Sequence, residues 1–307
     1  MRIPYASAIV PSLLTLSTLL AGCVDSQTGY NPDEEHYPGP KAGTLYVGVA
    51  DDGGIYAYDV EEKEMRRLVT GSEPTLAPDG ALVCRHDAGL VEYAPESGSY
   101  RVIVARDPNT AADRTGATND DEFHAPQVSR DGRYVAYEGN MREIYVVDRA
   151  SGDLLATLDS PDWGIGYSHP SWTPENRLVV AGSEANPGLW ISDASWESVT
   201  PIASDLFNAG TPAVSPDGTT ILFSYRGQLY TIGIDGENLE PSFDAPGVSP
   251  CWSPDGTYYA FAIGNSDDFR AVNACFYNPT YEIMIEPFME LDEGQWFSEM
   301  STQMALH

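Results

Sequence analysis

A chain of 307 residues that sets 16 Lys and Arg against 46 Asp and Glu carries a formal charge of −30. That balance excludes nucleic acid as a direct partner, because phosphate binding needs a basic surface. It leaves a heavily solvated surface, or a face that attracts cations and basic partners. The 28 Gly, 23 Pro and 11% aromatic residues, with no long helical periodicity, predict an all-β domain of many short strands.

The N-terminus reads MRIPYASAIVPSLLTLSTLLAGCVDSQ. Arg2 is followed by an apolar run over 6–20, of signal-peptide length and short for a membrane span. It ends in Leu20-Ala21-Gly22-Cys23, which resembles the bacterial lipobox. The resemblance implies removal of residues 1–22 and acylation of Cys23 with more than one chain, as firm anchoring requires. It also implies an address: Asp directly after the Cys would favour the inner membrane, and here the Asp is one place later, at Asp25, which points to the outer membrane. Residues 23–43 are polar with Pro and Gly and read as a tether, leaving 44–307 for the folded domain. Beyond Cys23, the three cysteines Cys84, Cys251 and Cys275 allow one disulfide, with Cys251 and Cys275 nearest in sequence, or are all buried as small hydrophobes.

The first predicted strands are 44–50, 54–60 and 65–70. A repeat follows: PTLAPDG at 74–80, PQVSRDG at 126–132, PSWTPEN at 170–176, PAVSPDG at 212–218 and PCWSPDG at 250–256. The acidic positions Asp79, Asp131, Glu175, Asp217 and Asp255 are spaced by 52, 44, 42 and 38 residues. A period near 40 with strands between copies predicts a propeller. The motif is a turn device. Pro presets φ, Asp bonds the local backbone, and the last residue must adopt the left-handed conformation. That last residue is Gly80, Gly132, Asn176, Gly218 or Gly256, and Asn is the next best residue after Gly there.

Each turn leads into an apolar strand: ALVCR, YVAYEG, RLVVAG, TILFSY and YYAFAI. Third strands at 143–149, 188–194 and 228–234, and more polar fourth strands at 154–158, 198–203 and 238–243, complete four-stranded blades. The three strands before the first motif make a sixth blade without an inner strand, and GQWFSEM at 294–300 is the segment expected to supply it. These repeats resemble the TolB-type, WD-repeat-like propeller family, whose signature is Pro-x-x-Ser-Pro-Asp-Gly before an apolar strand. The resemblance covers roughly 44–300 and implies a six-bladed ring closed by the chain ends. It extends to the propeller of TolB and to no α/β domain before it. It implies no particular activity.

No nucleophile elbow, His-Glu-x-x-His, phosphate loop or calcium loop occurs. Position therefore has to point to the site. The residues before each motif Pro should ring the channel mouth opposite the turns: Glu73, His124 with Ala125, Ser168 with His169, Thr211 and Ser249. Long loops add Asp121, Glu122 and Trp163 to that face, and Asp267 with Asp268. His124 and His169, read as equivalent positions among carboxylates, could hold a divalent cation or a basic ligand; otherwise they cap strands and bond across blades. No cofactor is predicted. Trp172 and Trp252 share one repeat position and are expected to pack between blades, as are Tyr145, Trp190 and Tyr230 on the third strands. The resulting expectation is a lipid-anchored scaffold that binds an envelope protein or peptide through its acidic loop face. A carbohydrate-active lyase or hydrolase, or a cation-binding protein, is the alternative.

Overall fold

The computed structural model describes residues 43–49, 53–106, 123–139, 143–158, 166–183, 186–264, 271–279, 283–290 and 304–305. Cys23, the signal and tether segments 1–22 and 23–42, Asp121, Glu122, Trp163, Asp267, Asp268 and the segment 294–300 lie outside the described residues.

Every described element is a strand, and the strands form a β-propeller of four-stranded antiparallel blades. Three N-terminal strands come first: β1 (Thr44–Val49), β2 (Gly54–Asp59) and β3 (Glu64–Thr70). Five blades of four consecutive strands follow. Blade I contains β4 (Ser72–Leu76), β5 (Leu82–His86), β6 (Gly89–Ala94) and β7 (Ser99–Ala105). Blade II contains β8 (His124–Val128), β9 (Tyr134–Glu138), β10 (Ile144–Asp148) and β11 (Leu154–Leu158). Blade III contains β12 (Tyr167–Trp172), β13 (Leu178–Gly182), β14 (Leu189–Ser192) and β15 (Val199–Ala203). Blade IV contains β16 (Gly210–Val214), β17 (Thr220–Tyr225), β18 (Gln228–Gly233) and β19 (Glu240–Pro246). Blade V contains β20 (Val248–Trp252), β21 (Tyr259–Gly264), β22 (Ala271–Asn278) and β23 (Ile283–Glu290). The free edge of β1 pairs antiparallel with β24 (Met304–Ala305), Thr44 opposite Ala305 and Leu45 opposite Met304. The edge position expected of 294–300 is thus taken by a strand further along the chain.

The first strands of successive blades pack on one another, β4 on β8, β8 on β12, β12 on β16 and β16 on β20. Second strands are buried on both faces: Leu178, Val179 and Val180 in β13 and Ile221, Leu222 and Phe223 in β17 are fully buried. Fourth strands face solvent, as the burial of β7 and β11 shows. Two clasps alternate between first strands. The Trp172 indole donates to Gln127 O at 2.9 Å and that of Trp252 to Ala213 O at 3.0 Å. Where the same position is Val, its own amide donates back instead: Val128 N to Thr75 Oγ1 at 3.4 Å and Val214 N to Ser171 Oγ at 3.0 Å. Tyr145, Trp190 and Tyr230 pack against the blade cores.

The motif turns use their residues as the chemistry requires. Gly80, Gly132, Asn176, Gly218 and Gly256 all have positive φ, from 58° at Asn176 to 85° at Gly80. Asp131, Asp217 and Asp255 accept the Ser hydroxyl two residues earlier at 2.6–2.7 Å and the amide two residues later at 2.9–3.0 Å. The Ser215 hydroxyl and the Thr219 amide hold the Asp217 carboxyl below its ordinary value. A lowered pKa contributes stability above the ordinary carboxylate range, which is lost as pH falls through the lowered value.

Neighbouring turns also touch. A Cβ on Gly218 would sit 2.7 Å from Pro174 Cδ, and one on Gly132 or Gly256 would sit 3.5 Å from the Cδ of Pro78 or Pro216. The single Asn in the series follows the single turn with Arg130 in place of Pro. Arg130 reaches away to Val214 O at 2.8 Å, and Asn176 Nδ2 donates to Asp131 Oδ2 at 2.9 Å. The two substitutions therefore accommodate each other. In urea unfolding, Arg130→Pro alone is expected to destabilise by about 1–2 kcal/mol, because the ring meets the Asn176 side chain. The double variant with Asn176→Gly should recover about 1 kcal/mol beyond additivity. Strict additivity would show that the turns do not read each other.

Cys84 and Cys251 are both buried. A Cys251–Cys275 disulfide, one of the two expected options, does not fit the strand order. The two lie on β20 and β22 with β21 between them, about 10 Å apart at the ordinary strand spacing and beyond disulfide reach. Burial pushes the Cys84 thiol up to about 12, so it is an inert core residue.

Candidate functional site

Every first strand of the five blades opens with the same irregularity. Pairing shifts register between Ser72 and Thr75, His124 and Gln127, Ser168 and Ser171, Gly210 and Ala213, and Val248 and Cys251. Inside each bulge the residue before the motif Pro has positive φ: Glu73 at 53°, Ala125 at 44°, His169 at 50°, Thr211 at 45° and Ser249 at 50°. A non-Gly residue there costs about 1–2 kcal/mol, so each needs compensating contacts. The ring expected at the mouth is thus a ring of strained bulges.

Carboxylates supply two of those contacts. Glu73, 4% exposed, accepts a short hydrogen bond from Ala125 N of the next blade. Glu138 Oε2 accepts from His169 N of the blade after its own at 3.3 Å. Glu73 Oε1 also faces His124 Nδ1 at 3.3 Å and Arg85 Nη1 at 3.6 Å. The bond to Glu73 raises the His124 pKa against the opposing effect of burial. This raised value contributes stability that is complete below the ordinary imidazole pKa and is lost as pH rises through the folded one. A proton NMR titration should find His124 titrating above an ordinary histidine, and Glu73→Gln should bring it down. An unchanged His124 titration in Glu73→Gln would show that the pair does not interact.

The structure corrects one expectation about this ring. His124 and His169 are not equivalent. His169 shares its backbone conformation with Ala125, so His124 sits one place earlier. One residue along a strand turns a side chain to the other face. His124 is engaged with Glu73, whereas His169 Nδ1 is buried without a hydrogen-bond partner among the described residues. Among those residues no group of three or more His, Cys, Asp or Glu is arranged to hold a metal ion.

Sequence reasoning missed Arg85 and Glu138, which close the second strands β5 and β9 at the mouth end and complete the network. It also missed a cleft of about 450 Å³ on the turn face between blades III and IV, walled by Glu175, Arg177, Asp217 and Asp235. A third feature of the turn side is Arg149, which ties blades I and II: its guanidinium donates to Glu92 Oε2 at 2.7 Å and to both Asp79 oxygens at 2.9 Å. Copy one of the motif has Ala77 where others have Ser, so Asp79 takes its partner from the next blade.

These features define a β-propeller whose mouth is built from bulged, polar strand heads. Comparison with known proteins agrees on the fold. No protein-family model matches the chain. An uncharacterized protein of Agrobacterium fabrum (strain C58 / ATCC 33970), Atu1656, is 25% identical over 215 residues, spanning 63% of this chain and 70% of that one. TolB from Acinetobacter baumannii superposes with a TM-score of 0.64 at 16% identity, covering 87% of this chain and 67% of TolB. A putative TolB from Agrobacterium tumefaciens gives a TM-score of 0.61 at 17% identity, covering 85% and 92%. An oligogalacturonate lyase in complex with manganese gives a TM-score of 0.54 at 12% identity, covering 79% and 73%. At these identities the likeness is one of fold.

Proposed function

We propose that this chain is a lipid-anchored propeller of the cell envelope that holds a protein or peptide partner at its mouth face. The sheet of β24, β1, β2 and β3 is its sixth blade and closes the ring. The carrying observation is that the described mouth residues are committed to one another and to backbone amides. Glu73 serves Ala125, His124 and Arg85, and Glu138 serves His169. Such a network makes a rigid, polar platform, which favours docking. The charge of −30 favours a basic partner. Leu20-Ala21-Gly22-Cys23 supports the anchor, and the fold shared with TolB supports an envelope setting.

A second reading, a carbohydrate-active lyase or hydrolase or a cation-binding protein, draws on the fold shared with oligogalacturonate lyase and on the unpartnered His169 Nδ1.

Affinity capture from envelope extracts separates these readings. The scaffold reading expects a specific partner that is retained at low salt and released as salt rises. Retention should fall in Asp121→Asn/Glu122→Gln and persist in Asp217→Asn on the turn face. Equal retention by both variants would remove the mouth from the mechanism. In the same cells, Cys23→Ser should leave the membrane fraction.

A further inference from the structure

The loop between β15 and β16, residues 204–209, presents the most exposed large hydrophobic residue among those described: Phe207, 62% exposed. It leads directly into Gly210-Thr211, so it stands on the mouth face at the head of blade IV. The loop is held from below. Leu206 and Ala209, 4% and 5% exposed, enter the core between blades III and IV beside Val214, Ile221 and Phe223. Two backbone hydrogen bonds fix the turn, Phe207 N to Asp205 O at 3.2 Å and Ala209 N to Leu206 O at 3.1 Å, with Asn208 at φ 65°. The following residues are pinned as well: Ser224 Oγ donates to Gly210 O at 3.0 Å and shares a hydrogen bond with Thr211 Oγ1 at 2.9 Å. The alternation of anchored and exposed side chains is therefore a property of the loop backbone. Asp205, two residues before Phe207 on the same short loop, is also exposed, and its carboxylate has no side-chain partner among the described residues.

We propose that Phe207 and Asp205 form the seat for a Lys or Arg side chain in a basic segment of the partner. This rests on the docking role of the mouth face. The chemistry is complementary in two ways. An exposed aromatic face attracts a cation and packs against its aliphatic stem, and a carboxylate alongside pairs with the charged head. The loop backbone is already fixed, so binding orders only the Phe207 side chain, with its two rotatable angles, which suits an interface anchor. The charge of −30 selects basic over acidic segments at long range.

The test is to pan a phage-displayed random dodecapeptide library on the full chain at low salt and to measure the enriched peptides on variants. The expected result is enrichment of Lys- or Arg-bearing peptides whose affinity falls about tenfold or more on Phe207→Ala. It should fall several-fold on Asp205→Asn and stay unchanged on Tyr100→Ala, an exposed aromatic of β7. Phe207→Ala should unfold close to the wild-type urea midpoint, since most of its side chain is exposed. Enriched peptides that are acidic, or that bind Phe207→Ala within twofold of wild type, overturn the proposal. If those peptides still lose affinity on Asp121→Asn/Glu122→Gln, the seat is wrong and mouth docking stands. If they lose it only on Asp217→Asn, mouth docking fails with the seat.

Discussion

Trp172→Ala is expected to lower stability by about 3–5 kcal/mol, enough to unfold much of a marginally stable domain. The side chain is 3% exposed, between Tyr134 at 6.2 Å and Trp196 at 5.8 Å, and its indole donates to Gln127 O of the previous blade. Removal therefore opens a cavity and releases a clasp together. Trp172→Phe separates the two, because it keeps most of the ring volume and loses the donor. It should cost about 1–2 kcal/mol, read as the shift in urea midpoint at constant slope. If Phe costs as much as Ala, the hydrogen bond carries the seam and packing does not; if Phe costs nothing, the clasp is ornamental.

Glu73→Ala should cost a similar amount, about 3–5 kcal/mol, by a different route. It deletes a carboxylate with a side chain 5% exposed that faces His124 and Arg85 and accepts from Ala125 N. The Arg85 charge loses its counter-ion, and the strained backbone at Ala125 loses its acceptor. Glu73→Gln keeps an acceptor for Ala125 and loses the charge, so it should cost about 1–3 kcal/mol. The pH profile gives a further check. The His124 contribution to stability, present at low pH and lost as pH rises, should shrink in both variants. A Glu73→Ala protein as stable as wild type would mean that the bulge is not held from the neighbouring blade.

Much of the fold was legible because its signal is local. In SPDG each residue does its work within five positions, Pro by fixing φ, Asp by accepting nearby donors and Gly by allowing positive φ. The mouth was legible as a set of positions and less so as chemistry. A positive φ at Ala125 or His169 has no local mark, since a residue before Pro is ordinarily extended. Carboxylates brought from the neighbouring blade, Glu73 and Glu138, meet those backbones, and no pattern along one strand shows that. The offset between His124 and His169, by contrast, stands in the sequence, two residues before Pro126 and one before Pro170. The pairing of Met304–Ala305 with β1 was missed because two residues carry no alternation to read. Phe207 stood unnoticed because an apolar residue in a loop is read as buried until the flanking Leu206 and Ala209 are seen to take the core positions.

The contact of each motif turn with the next alters what counts as a module here. Gly218 is dictated by Pro174, and Asn176 is tolerated because of Arg130. A blade cut out at its own strand boundaries carries a turn matched to neighbours it no longer has. The transferable unit is the overlap of two blades, with the fifth residue of one motif travelling with the seventh of the next. Circular permutants and blade grafts that respect this overlap should keep their seams, whereas those that divide it would inherit a mismatch at both ends of the insert.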